Sequence, residues 1–144
     1  MRGYKGSIPK KQYIDMPERI LSSLSYLTSG MVGFVWLIIT HLQGKSLSSF
    51  ARFHIFQSIF LSIILYVASI LLNIIASVVQ IIPFFGTLVM NIIYYLVQYP
   101  LPLPGGQSIV GLALIIFYFY LAFYAFTGRY GRIPWISDMV KQMV

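Results

Sequence analysis

The sequence predicts an all-α, polytopic membrane protein: four transmembrane helices followed by a short interfacial helix. Three observations carry that expectation. Of 144 residues, 58% are hydrophobic and 9% charged, where a soluble domain carries about 25% charged residues. The 76 consecutive positions 53–128 contain no Lys, Arg, Asp or Glu. A crossing helix takes about 20 apolar residues, so this stretch alone has room for three. Lastly, the apolar runs are divided by short polar or Pro/Gly-rich connections, which punctuate helices rather than continue them.

Residues 1–15 form a basic tail with Arg2, Lys5, Lys10 and Lys11. It lacks the apolar run and small-residue cleavage site of a signal peptide, so none is expected. Residues 16–132 make up the membrane domain. Asp15 and Glu18 have capping-box spacing and Pro17 falls inside the first turn, which predicts a helix from Met16. The first span is placed at 20–42. Its Ser22, Ser23, Ser25, Gly30 and Gly33 mark it as packed on protein more than on lipid.

After the polar loop Gln43 to Ser49 comes the second span, 53–82, about 45 Å long as a helix. That exceeds the bilayer core, so it must tilt, protrude or break before Pro83-Phe84-Phe85-Gly86 ends it. The third span, 84–99, is short enough for a re-entrant hairpin to compete with a full crossing. The loop from Pro100 to Gly106 leads to the fourth span, 108–127, crowded with aromatics from Phe117 to Phe126. In the tail 133–144, Ile136, Met139, Val140 and Met143 recur at spacings of three and four. With Trp135 in front, they read as a short amphipathic helix lying among headgroups.

Charge sets the expected sidedness. Four crossings put eight Lys/Arg on the side of both termini and two, Lys45 and Arg52, on the other; three crossings give five and five. The positive-inside rule favours four, with both termini on the cytoplasmic side. The net charge of +7 sits in the tails and one loop, so the expected partners are anionic headgroups and not nucleic acid.

The inventory for chemistry is sparse. There is no Cys, the acids Asp15, Glu18 and Asp138 all lie in tails, and His41 and His54 lack a third ligand nearby. No catalytic, metal or cofactor site is expected, and the chain reads as a non-enzyme. No Lys, Arg, Asp or Glu lies inside a span, which disfavours proton-coupled transport. The spans do carry polar stripes. At 100° per residue, Ser58, Ser62, Tyr66, Ser69, Asn73, Ser77 and Gln80 share one arc of the second, and Thr87, Asn91, Tyr95 and Gln98 one face of the third. Such stripes serve helix packing or line a wet path within an oligomer, and both readings stand.

Three local patterns occur in order at membrane entrances. Pro17-Glu18-Arg19-Ile20 leads into Ser22-Ser23-Leu24-Ser25-Tyr26-Leu27. Arg52-Phe53-His54 precedes Gln57-Ser58-Ile59, and Gly131-Arg132-Ile133-Pro134 precedes Ile136-Ser137-Asp138 and Gln142. Together, from Met16 onward, they resemble the Tic twenty family, a component of the translocon at the chloroplast inner envelope, and its bacterial relatives. The resemblance implies a four-helix protein of a plastid inner envelope or bacterial cytoplasmic membrane that takes part in preprotein passage. It marks Arg19, Tyr26, Arg52, His54, Gln57, Pro134, Ser137 and Asp138 as interface anchors.

The resulting expectation is a non-enzymatic component of a homo-oligomer or larger complex that offers polar helix faces to a transiting polypeptide. The candidate path or packing residues are Ser62, Ser69, Asn73, Ser77, Gln80, Asn91 and Gln98. A small-solute channel or permease subunit, or a membrane-complex assembly factor, is the alternative.

Overall fold

The computed structural model describes residues 14–102 and 105–142. The tail basic residues Arg2, Lys5, Lys10 and Lys11, and Met143 of the amphipathic pattern, lie outside them. The described chain is helical throughout: α1 Met16–Leu27, α2 Met31–Leu42, α3 Ser49–Val79, α4 Phe85–Ile93 continued by a π-helical turn Tyr94–Gln98, α5 Ile109–Phe126 and α6 Ile136–Lys141. Two of these, α3 and α5, are long and apolar enough to cross a membrane.

The first expected span is not one helix. Tyr26 and Ser25 end α1 with their carbonyls taken by the N–H groups of Ser29 (3.1 Å) and Gly30 (2.6 Å), the pattern of a Schellman stop. Ser29 and Gly30 both adopt positive φ, 53° and 88°, and the chain reverses. α2 then returns antiparallel along α3. Gly30 abuts Ile59, and a Cβ on Gly33 would overlap the Ser25 hydroxyl and sit 2.8 Å from Ile55 Cγ2. At 1.5 Å per residue, the 12-residue arms are each about 18 Å long, short of a bilayer core. Segment 20–42 is therefore a helical hairpin and not the single helix its hydropathy predicts.

The expected capping box does not form either. Asp15 makes no side-chain cap bond, and Glu18 instead reaches across to the start of α3. Its carboxylate accepts from Ser48 Oγ at 2.6 Å and from Ser48 N at 3.4 Å. The same Ser48 oxygen accepts from Ala51 N and so caps α3. Arg19, next in sequence, lies over Gly128 just past the end of α5, where a Cβ would meet its Nε at 3.2 Å. Adjacent opposite charges on α1 thus sit at the positive end of one helix dipole and the negative end of another.

These contacts fix the arrangement. α1 runs parallel to α3 and antiparallel to α5, against which Ser23 Oγ bonds Ala122 O at 2.9 Å. Arg52 shares a cavity with Lys45 and His41, and Lys141 one with Ser49 and Tyr130. The starts of α1 and α3, the end of α5 and all of α6 accordingly gather at one end of the molecule. Every described Lys, Arg, Asp and Glu belongs to that end. At the opposite end, α3 gives way to α4, whose Gly86 is pressed against Val79 O and Gln80.

The core sits in the charged half. Tyr26, Phe53, Leu61, Leu121, Ala122, Ala125, Ile136 and Val140 pack together there. This revises the placement of the C-terminal helix among headgroups. The Ile136, Ser137 and Val140 side of α6 is buried against protein, and only Trp135 and Met139 of its large apolar residues are exposed. Two tight γ-turns flank the design. Phe85 N bonds Pro83 O (2.7 Å) and Ile136 N bonds Pro134 O (2.8 Å), with Phe84 and Trp135 at φ 66° and 67°. Such turns are rare and strained, and each turns an aromatic side chain almost wholly outward, 87% and 85% exposed.

Candidate functional site

Four of the eight expected anchors meet in one buried network. Tyr26 enters from α1, His54 and Gln57 from one face of α3, and Ser137 from α6. Tyr26 Oη donates to Gln57 Oε1 at 2.6 Å and lies 2.9 Å from His54 Nδ1. Its single proton is committed to the amide, so His54 Nδ1 carries the proton between the two rings. Gln57 Nε2 spends its two protons on Gly131 O (3.0 Å) and Ser137 Oγ (2.9 Å). Ser137 Oγ also accepts from Ile133 N at 2.7 Å. All four side chains are buried.

Aromatic rings wall this network. His54 stacks on Tyr130 at 5.9 Å and 15°, with Phe50 and Phe53 edge-on to it. Partial burial holds the Tyr130 phenol above its usual pKa. His54 Nε2 is buried without a hydrogen-bond partner. In a low-dielectric setting each unpaired buried polar atom is costly, so a network with nearly every atom matched fixes how three helices dock.

The remaining anchors do other things. Pro134 supplies the carbonyl of a γ-turn. Asp138 is on the surface, 3.5 Å from Lys141 in an exposed pair of the kind that contributes little. Arg19 and Arg52 lie at the charged end, each with a buried Nε that meets no acceptor. Glu18 and Tyr130 were not singled out from sequence as site residues. The spacing of Glu18 from Asp15 points to its own helix end, and the tertiary arrangement brings Ser48 within its reach instead.

The polar stripe of α3 divides in two. Ser58 is buried, and Ser62 Oγ meets Tyr118 Oη of α5 at 3.2 Å while lying 2.9 Å from Ser58 O. Beyond it, Ser69, Asn73, Ser77 and Gln80 are exposed, as are Asn91 in α4 and Gln98 in its π-helical continuation. Ser69, Asn73 and Ser77 donate to carbonyls of their own helix, at 2.7, 2.7 and 2.8 Å. Around them Ile63, Ile64, Ile70, Leu71, Leu72 and Ile74 are exposed as well. Among the described residues no group of three His, Cys, Asp or Glu is placed to hold a metal ion.

Compared with known proteins, the chain matches no family model, no curated protein and no solved structure.

Proposed function

We propose that this chain is a non-enzymatic membrane component of an assembly that handles polypeptides, the role implied by its resemblance to the Tic twenty family. It crosses the bilayer twice, through α3 and α5. The α1–α2 hairpin dips in and returns, α4 with its π-helical turn stays at the far face, and both termini share one side. In this placement all six described Lys and Arg fall on the side of the termini. The four that precede α1 in sequence extend the count to ten against none. That asymmetry exceeds the eight against two of four crossings and is what the positive-inside rule favours.

One observation carries the functional reading. The far half of the α3 stripe is exposed together with its apolar neighbours, and among the described residues α4 closes on it only at its end, where Gly86 meets Val79 and Gln80. Its hydroxyls and amide have quieted one donor each on their own backbone, which makes the face tolerable in lipid. They keep acceptors, and Asn73 keeps a second donor, for another chain. A photocrosslinker at Asn73 or Asn91 is expected to capture a polypeptide in native membranes. Capture of lipid alone, with the assembly functioning normally, overturns the reading.

The sidedness has a separate test, aided by the absence of Cys. Single-cysteine variants Gln43→Cys, Gln107→Cys and Asp138→Cys are labelled with an impermeant thiol reagent in sealed vesicles. Positions 43 and 138 are expected to react from one face and 107 from the other. Four crossings would instead pair 43 with 107.

A further inference from the structure

The charged end holds a second, unassigned feature in the connection between α2 and α3. A cavity of about 270 Å³ opens there, with His41, Lys45 and Arg52 on its wall and no carboxylate lining it. The nearest competitor by position, Glu18, has both oxygens directed to Ser48. Thr40 also lines the cavity, but its hydroxyl proton is spent on helix carbonyls at 2.9 and 3.0 Å, so the side-chain donors left are the Ser46 hydroxyl and the cationic groups. Arg52 Nε is buried without an acceptor. A guanidinium with an unmatched buried donor and an ammonium on the same cavity wall form an environment for one compact anion.

We propose that this cavity binds a phosphate group, clamped between Lys45 and Arg52 with His41 at its rim. Planar guanidinium N–H groups match phosphate oxygens two at a time, and a flexible ammonium supplies the opposing charge. The same group comes to the site as free inorganic phosphate or as the headgroup of an anionic phospholipid. The setting favours the headgroup. Leu42, beside His41 at the end of α2, is 80% exposed, and Phe34, Val35, Ile38 and Ile39 continue an exposed apolar surface down the same helix. Acyl chains have a wall to lie against while the phosphate is held above them. A lipid so placed would fix the depth of the hairpin, whose arms are too short to be fixed by spanning. The inference rests on the membrane placement above and not on the polypeptide-handling reading, whose crosslinks arise at the other end of α3.

The test uses the full chain purified in a neutral detergent. Phosphatidylglycerol is titrated against phosphatidylcholine, and inorganic phosphate against chloride at matched ionic strength, with bound lipid counted by native mass spectrometry and phosphate binding read by calorimetry. One phosphatidylglycerol is expected to bind saturably in preference to phosphatidylcholine. Lys45→Gln and Arg52→Gln are each expected to weaken it about tenfold or more, the loss of one charge-assisted hydrogen bond. Lys141→Gln, at the same end but outside the cavity, is expected to leave it unchanged. Saturable binding of inorganic phosphate with the same dependence on Lys45 and Arg52 supports the site and identifies free phosphate as a ligand. Lys45 is exposed in a loop, so its variant keeps the test decisive where Arg52→Gln fails to fold. Equal affinity in wild type and Lys45→Gln, or an equal loss in Lys141→Gln, overturns the proposal, since the attraction would then be diffuse surface charge. A normal Asn73 crosslink alongside either result shows that the site alone has failed.

Discussion

The two halves of α3 contain similar residues and live in different surroundings. From Phe50 to Leu61 nearly every turn is buried by α1, α2, α5 or α6, and His54 and Gln57 find partners on two other helices. From Ile63 to Ile82 the apolar side chains are mostly exposed, and the polar ones bond to the turn below. The first half is a protein core in the ordinary sense. The second has the composition of a core without the protein to cover it, so lipid or another chain must serve as its solvent. A polar stripe on a helical wheel therefore has no single meaning: within this one helix it changes from a docking device to an open face.

The largest expected effect comes from attacking the buried half. Gln57→Leu removes one partner each from Tyr26 Oη and Ser137 Oγ, which keep His54 Nδ1 and Ile133 N, and leaves Gly131 O with none; a buried polar group left unmatched costs about 1–3 kcal/mol. The variant should unfold in detergent at markedly lower temperature than wild type. Asn73→Ala should change the unfolding temperature of the solitary protomer hardly at all, because exposed substitutions stay within about 0.5 kcal/mol. Equal loss in both variants would erase the distinction between the halves.

A smaller effect sharpens the boundary of the core. Gly33→Val forces a side chain into space held by Ser25 and Ile55, an overpacking of about 1–3 kcal/mol. Its signature is specific: the hairpin should open, seen as new protease cleavage near Ser29 with α3 and α5 still protected. The smallest change runs the other way. Ser29 holds the left-handed position of the helix stop at φ 53°, a conformation that costs a non-glycine residue about 1–2 kcal/mol. Ser29→Gly should therefore raise the unfolding temperature by a degree or a few. A fall would mean that the reversal at 28–30 is not the conformation that limits stability.

Much of the candidate site was visible in sequence as separate pieces. Tyr26, His54, Gln57 and Ser137 stand out as polar residues at the mouths of apolar segments. That they meet is invisible, because the bonds link positions 28 to 80 residues apart. Glu18 shows the converse. Its spacing from Asp15 is locally persuasive, yet Ser48 won, since satisfying a cap and a cross-helix contact together outweighs a local cap exposed to solvent. The hairpin did leave a trace: Ser29-Gly30 is a turn-forming pair midway along 20–42, with Gly33 just beyond. Hydropathy averaged over the window hid it.

Sequence by itself determined that the chain is helical and placed α3 and α5 to within about a turn, Ser49–Val79 against an expected 53–82 and Ile109–Phe126 against 108–127, because propensity, capping and hydropathy act over a few neighbouring residues. Only the tertiary structure decided that α1 turns back rather than through, that α6 shows its apolar side to α3, and that half of a polar stripe is closed and half open. Those outcomes depend on whether Gly30 and Gly33 fit against Ile59 and Ile55 and on which donors find acceptors across helices. Fit of that kind is a property of surfaces brought together, and no local window contains it.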